Sequence, residues 1–369
     1  MKRYLLFLGC VMLLLLLGNT AWAELATKGQ LTPELALSSC PRLEGPLVFC
    51  GEAVPLQYIE VRERLDKELL LLLGDRAQLI LWMKRARRYL PIIEEELRRE
   101  GLPDDLKYIV VIESGMLPHA GSSRGAVGFW QFIPETGRTY GLTISESIDE
   151  RRSIFASTAA AVRYLKKLYG DFHCWTLAAA AYNMGEAGLQ TQILVQKTSD
   201  FYQLYLPLET QQYVPRIVLV KLILSNPARF GFDLKQDDLY PPLAFTHITL
   251  QCDDEAPVML AAEAAHTTFK AIKDLNPEIR GYWLPKGRTP LLVPPGEATG
   301  FQEHFDALYE KWRQERKLNL YEVCPGDTLS GIAARFNVPV AALLIWNRIE
   351  YGHKLVPGER IVVYRQAQK

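Results

Sequence analysis

From Val54 to Gly74, apolar residues recur at Ile59, Leu65, Leu69-Leu70 and Leu72-Leu73, the spacing of an amphipathic helix stopped by Gly74-Asp75. A second helix is predicted from Arg76 to Glu100. A break is expected at Pro91, because proline removes a helical hydrogen bond and crowds the preceding turn. A third helix opens at Pro103-Asp104-Asp105, where proline and early acids suit a helix start, and carries Leu106 and Ile109 to Ile112 up to Glu113. Gly, Ser and Pro then dominate from Ser114 to Gly128, leaving too few apolar positions for a regular element. Helical patterns resume at Phe155–Tyr169, Thr176–Tyr182 and Glu209–Leu224. Residues 77–232 therefore read as an all-α domain, preceded by a helical extension over 24–76.

The pattern changes after Phe232. A helical stretch from Val258 to Leu275 lies between Phe245-Thr-His-Ile-Thr-Leu and the turn Val293-Pro294-Pro295-Gly296, which makes 233–302 a linking domain with a faint β-α-α-β order. A charged helix over 303–319 reads as a linker. Residues 320–364 are more regular: a β-run from Leu320 to Val323, a turn at Pro325-Gly326-Asp327, helices at Leu329–Phe336 and Val340–Trp346, and a last strand at Arg360–Tyr364. The expected class is α+β, an all-α domain followed by small β-α-α-β modules. So small a unit buries little surface, and binding suits it better than catalysis.

At the other end, Met1-Lys2-Arg3 precedes the uncharged run Tyr4–Ala23, which closes on Ala21-Trp22-Ala23. A basic start, an apolar stretch and a small-x-small end make residues 1–23 a signal peptide for export to the periplasm or cell envelope. The same run is long enough to span a bilayer uncleaved, and Leu8-Gly9-Cys10 offers a site for lipidation, so association with a membrane stays open.

Composition narrows the partners. With 42 Lys+Arg against 42 Asp+Glu, the chain has no cationic excess to hold phosphates, so nucleic acid is not an expected partner. A hydrophobic content of 49% interleaved with these charges excludes both disorder and a polytopic membrane protein. Cys40, Cys50, Cys174, Cys252 and Cys324 include no CxxC and no histidine at zinc-ligand spacing, so no metal and no other cofactor is expected. Cys40 and Cys50 are near enough in sequence to close a small loop, while Cys174 and Cys324 sit in apolar patterns and read as buried hydrophobes.

One residue contradicts its surroundings. Glu113 follows four consecutive apolar residues and precedes a glycine-rich loop, so it belongs at the end of a core helix. Burial raises a carboxyl pKa, which would keep the group protonated near neutrality and suit it to general acid catalysis. Two bland arrangements stay open: a terminal glutamate turned to solvent, or a core glutamate paired with Arg124 or Arg138.

The context of Glu113 bears on that choice. Glu113-Ser114, then Ser122-Ser123-Arg124-Gly125-Ala126-Val127-Gly128-Phe129-Trp130-Gln131, then Ala181-Tyr182-Asn183-Met184-Gly185, then Glu209-Thr210-Gln211-Gln212-Tyr213-Val214 stand in that order. Together they resemble the ES, S-x-x-G-A-x-G-x-x-Q, A-Y-N-x-G and E-T-x-x-Y-V motifs of the goose-lysozyme-like lytic transglycosylases. The run Phe129 to Arg138 with Tyr140-Gly141-Leu142 is similar to the membrane-bound lytic murein transglycosylase D group of that family. The resemblance implies a lysozyme-like catalytic domain acting on peptidoglycan glycan strands, with Glu113 as the sole acid/base and a 1,6-anhydromuramyl product formed without water. It further implies that Ser122 and Gln131 contact sugar or orient the acid, that Tyr182 and Asn183 line the cleft, and that Glu209 and Tyr213 lie near it. A single carboxylate fits such a reaction, since ordinary glycoside hydrolysis needs two. A muramidase using Glu135 or Glu209 to deliver water, and an inactive wall-binding scaffold, remain as alternatives.

Residues 320–364 resemble a LysM repeat across nearly the whole module, through Pro325-Gly326-Asp327-Thr328-Leu329, Trp346-Asn347 and Pro357-Gly358-Glu359. That likeness implies recognition of N-acetylglucosamine glycans, with Gly326, Asp327, Thr328 and Asn347 as candidate contacts. Asp327 and Thr328 can equally serve only as helix caps. Residues 245–295 look like a degenerate copy without the Gly-Asp-Thr.

Overall fold

The computed structural model describes Leu43 and residues 45–364; the expected signal peptide, Cys10 and Cys40 lie outside the described residues. A short hairpin, β1 (Val48–Phe49) with β2 (Glu52–Ala53), opens the described chain, followed by α1 (Ile59–Gly74) and α2 (Arg76–Arg99). The first helix begins five residues later than its apolar pattern suggested, since the hairpin and Pro55 occupy the approach. Helix α2 runs unbroken through Pro91. Pro91 is exposed, so the helical carbonyl it leaves without a donor faces water and costs little.

A 3-10 turn at Asp104–Tyr108 leads into the short helix α3 (Ile109–Ser114), then a long loop, then α4 (Pro134–Thr139). Helices α5 (Ile154–Phe172), α6 (Trp175–Met184), α7 (Glu186–Gln196) and α8 (Leu208–Ser225) complete the bundle. One hydrophobic core runs from Leu47 to Phe232 and takes in Val61, Leu65 and Leu69 of α1, so it is continuous across residues 76–77. The hairpin is tied in by Glu52: its carboxylate accepts from the backbone N–H groups of Trp175 (2.5 Å) and Thr176 (2.9 Å), the otherwise unpaired donors at the start of α6.

A second core lies between Leu250 and Tyr309. Here β3 (Thr246–Cys252) pairs antiparallel with β6 (Gly287–Val293), from Thr246 opposite Val293 to Cys252 opposite Gly287. Between them come β4 (Ala256–Pro257), α9 (Val258–Ala264), α10 (Phe269–Leu275) and β5 (Trp283–Leu284). Helix α11 (Phe301–Leu318) packs on this unit through Phe301, Phe305 and Tyr309. The third core, Val323 to Val363, belongs to β7 (Leu320–Glu322), α12 (Leu329–Phe336), α13 (Val340–Asn347) and β8 (Arg360–Val362), with β7 and β8 antiparallel. The protein is thus α+β, mostly helical with small antiparallel sheets.

The second and third units share one internal fastening. Asn276, just past α10, donates from Nδ2 to Ile272 O and Leu292 O (both 2.8 Å) and accepts from Leu292 N–H (2.7 Å). Asn347, at the end of α13, donates to Leu343 O (2.9 Å) and Val362 O (2.8 Å) and accepts from Val362 N–H (2.6 Å). In each unit one amide closes the second helix onto the last strand.

Among the described residues no single helix is long and apolar enough to cross a membrane. Cys174 is half-buried against Glu52, as its pattern suggested in part. Cys324 is exposed: the turn before α12 carries it outward, against the buried position its neighbours implied.

Candidate active site

Glu113 sits one residue before the C-terminus of α3, whose Ile109, Val110 and Val111 are fully buried. The helix must end there. Gly115 takes φ +58°, and a Cβ on it would come 2.7 Å from Nε1 of Trp82. Ser114 Oγ then donates to Phe129 O (2.7 Å) and accepts from Met116 N–H (3.1 Å), stitching the helix end to the far side of the loop.

The Glu113 carboxyl keeps some contact with solvent but is enclosed by protein on nearly every side, and this burial is what lifts its pKa to about 7. Tyr213, on α8, donates its hydroxyl to Glu113 Oε1 at 2.5 Å, which favours the charged form and holds the rise in check. Nearby Glu209 acts the other way by repulsion. With Oε1 occupied as an acceptor, Oε2 is the oxygen left to carry the proton. Neither Arg124 nor Arg138 pairs with Glu113; the partner is a tyrosine.

Tyr182 and Asn183 arrive on α6. Tyr182 donates to Trp130 O (2.7 Å), and its phenol, buried beside Glu113, has its pKa pushed far above the ordinary range. Asn183 Oδ1 accepts from Thr210 Oγ1 (2.7 Å), joining α6 to the first turn of α8. Glu113, Tyr182, Glu209 and Tyr213 therefore come together within electrostatic reach, from three helices.

Ser122 and Gln131 are used differently. Ser122 Oγ accepts from Ala126 N–H (3.1 Å), closing a turn, and Gln131 Nε2 donates to Gly128 O (2.8 Å) and Ala120 O (3.2 Å). Both bond groups within their own loop and shape it. The loop is held from beneath by Arg151, which donates to Gly125 O (2.8 Å) and Phe132 O (3.1 Å) while Asp149 grips its guanidinium with two bonds of 2.8 Å. Gly128 takes φ +85° and packs so closely on this support that a Cβ would lie 1.8 Å from Arg151 O. Ser114, named only as part of the Glu-Ser motif, is a positioning group, as are Asp149 and Arg151, which sequence reasoning did not single out; both are buried charges that carry no local signal of their role.

In the third unit, Gly326 has φ +88° at the turn, and Thr328 Oγ1 accepts from Gly331 N–H (3.0 Å) as the cap of α12. Asp327 accepts from Tyr321 Oη (2.6 Å) and Cys324 N–H (2.8 Å), and the first of these holds its carboxyl below the usual range. Asn347, expected as a glycan contact, spends its amide on the internal fastening described above. Among the described residues no group of three or more His, Cys, Asp or Glu is placed to hold a metal ion.

The site is thus a carboxyl poised near neutrality at a helix end, bonded by Tyr213 and close to Tyr182, in a chain that also carries a separate β-α-α-β module. Residues 91–204 match the Transglycosylase SLT domain and residues 321–363 the LysM domain. Over 302 residues, 76% of this chain, the sequence is 34% identical to the membrane-bound lytic murein transglycosylase D of Escherichia coli (strain K12). It matches the protein of the same name from E. coli O6:H1 equally well, and it spans 64% of the length of these relatives. Among solved structures, the 70 kDa soluble lytic transglycosylase of E. coli aligns with 44% of this chain and 30% of its own, at 16% identity and a TM-score of 0.35.

Proposed function

We propose that the chain is a peptidoglycan lytic transglycosylase of the cell envelope, and that Glu113 is its one acid/base. The observation that carries this reading is the Glu113 carboxyl itself, enclosed at a helix end so that its pKa rises to about 7, and fixed at Oε1 by Tyr213. In the first step Oε2–H protonates the glycosidic oxygen between N-acetylmuramic acid and N-acetylglucosamine, and the C1–O bond breaks. In the second, the Glu113 carboxylate takes the proton of the muramyl C6 hydroxyl as that oxygen bonds to C1. The proton count closes without water, and the product is a 1,6-anhydromuramyl end. Tyr213 positions the acid. Tyr182 and Asn183 line the cleft, while Ser122 and Gln131 keep the loop in shape for the sugar.

The LysM module would hold the enzyme on glycan strands and raise its local concentration there. Its turn at Gly326–Thr328 presents backbone rather than side chains, since Asp327 and Thr328 are already engaged. The name of the E. coli relatives, membrane-bound, supports an envelope location, and the uncharged run Tyr4–Ala23 is the segment that would serve for export or attachment. Glu209 supports a second reading, hydrolysis by a muramidase, because it is an exposed carboxylate within electrostatic reach of Glu113.

Mass spectrometry of muropeptides released from purified sacculi separates the two. Anhydromuramyl ends, lost in Glu113→Gln, support the transglycosylase. Reducing ends lost in the same variant would replace it with the muramidase, and sacculi bound but uncleaved by both proteins would leave a scaffold.

A further inference from the structure

A cavity of about 470 Å³ lies away from Glu113: it opens where α9, α11 and the LysM module meet. Its walls are aromatic and aliphatic, with Met259, Leu260, Leu308 and Ile345 among the rings. Phe269, Tyr282 and Trp283 come from the second unit, Trp312 from α11, and Trp346 and Tyr364 from the third. Three of the chain's seven tryptophans thus converge from three separate stretches of sequence.

The rings are set before any ligand arrives. Trp283 Nε1 donates to Ile345 O across the junction (3.1 Å), and the Arg348 guanidinium pairs with Glu255 while lying 5.4 Å from the Trp283 ring centroid. Trp312 is flanked by Tyr309 (5.5 Å, stacked) and by the guanidinium of Arg316 (5.5 Å). Such bonding fixes the relation of the two units and leaves the cleft between them open, with Tyr282 about half exposed at 49%. Its polar side chains, Glu263, Lys311 and Glu315, supply acceptors and one donor beside the rings.

A site of this volume with apolar walls and a few polar groups is that of a small-molecule or oligomer ligand. The arrangement selects among ligands. An alkyl chain or apolar peptide would cover the carboxylates of Glu263 and Glu315 without bonding them, at a desolvation cost. A pyranose ring has C–H faces to lie on indoles and hydroxyl and N-acetyl groups around its edge to meet carboxylates and an ammonium. We propose that this cleft is a second glycan subsite, shared between the LysM module and the preceding β-α-α-β unit, which takes an N-acetylhexosamine segment of the strand. The proposal rests on the glycan reading above for its choice of sugar but not on any step of the chemistry. The cleft requires both units, so it extends the wall-binding surface beyond the LysM module.

The test uses the full chain in the Glu113→Gln form, to prevent cleavage, titrated with tetra-N-acetylchitotetraose while the indole N–H resonances are followed. Saturable shifts of Trp312 and Trp346 are expected, with Trp312 decisive because it lies outside both the LysM match and the catalytic core. Trp312→Ala should raise the Kd of the oligomer at least tenfold, and Glu315→Gln about threefold. Should Trp312→Ala disturb the docking of the units, the resonances of the unsubstituted rings and the milder Glu315→Gln still decide. Binding with no shift at Trp312, or shifts unaffected by Glu315→Gln, would overturn the subsite. Failure of the unsubstituted chain to release anhydromuramyl ends while Trp312 shifts would overturn the enzymatic reading and leave the subsite standing.

Discussion

Glu113 and Glu278 are glutamates in different regions, the first at the cleft of the helical core and the second on the loop after α10 where the second unit meets that core, and burial lifts both carboxyls to about 7. Their surroundings diverge. Glu113 has a tyrosine donor on Oε1 and a glycine-ended helix beneath it. Glu278 has a buried Oε2 with no hydrogen-bond partner, feels Glu150 and Lys273, and lies in a strand-like contact where Asp149 N–H donates to Glu278 O (2.8 Å) and Arg280 N–H to Ser147 O (2.7 Å). A raised pKa therefore does not by itself mark a catalytic acid. What distinguishes Glu113 is a donor that fixes which oxygen carries the proton, where Glu278 leaves its buried oxygen without a partner.

The sharpest way to break the comparison is to neutralise each carboxyl in turn. Glu113→Gln should lower the release of anhydromuramyl ends by about 10³-fold, measured on purified sacculi; a loss of only a few fold would remove it as the acid. Glu278→Gln should instead act on stability. A folded-state pKa above the unfolded value means that the native chain keeps a proton the unfolded chain loses between about 4.5 and 7. Stability thus falls as pH rises through that window, and the deficit is complete above it, with a ceiling of roughly 3 kcal/mol. Thermal melts should show the glutamine variant more stable at pH 8 and unchanged near pH 4, with turnover intact.

Tyr213→Phe tests the donor, with a smaller effect of about tenfold on the rate, the size expected of one hydrogen bond to a charged group. Because the bond holds the Glu113 pKa down, its loss should move the alkaline limb of the pH–rate profile upward, not downward. A limb that stays in place would mean that Tyr213 serves packing alone. Smallest of all, Arg280→Ala removes a bond from Nη1 to Ser145 O (3.0 Å) on the surface of the junction, and activity should remain within about twofold. A larger loss would show that the second unit supports the catalytic loop through Asp149 and Arg151.

The two glutamates were not equally legible. Glu113 stands out in the sequence because its neighbours are apolar and a glycine follows within two residues, so both the helix end and the burial could be read locally. Glu278 is buried by the contact with residues 145–149, far away in sequence, and no pattern around it says so. The same division holds elsewhere. The helices at Phe155–Tyr169 and Glu209–Leu224 and the order of the last module were visible as periodicity, whereas α7 was hidden behind Gly185 and Gly188, which look like a turn. Gln131 and Asn347 were read as ligand contacts from their motifs. In the structure both side chains bond backbone, a use that depends on loop and strand partners no spacing reveals.

The fastenings at Asn276 and Asn347 have a consequence for how such chains can change. Each amide closes its unit using only atoms of that unit, and neither calls on the helical bundle. The last module, sealed from within, behaves as a cassette that can be duplicated or exchanged at its linker with its helix and strand still closed, whereas the second unit also bonds the bundle through Asp149 and Ser147. Copies of that module can then be added or lost while the loop beside Glu113 keeps the support of Arg151 and Asp149.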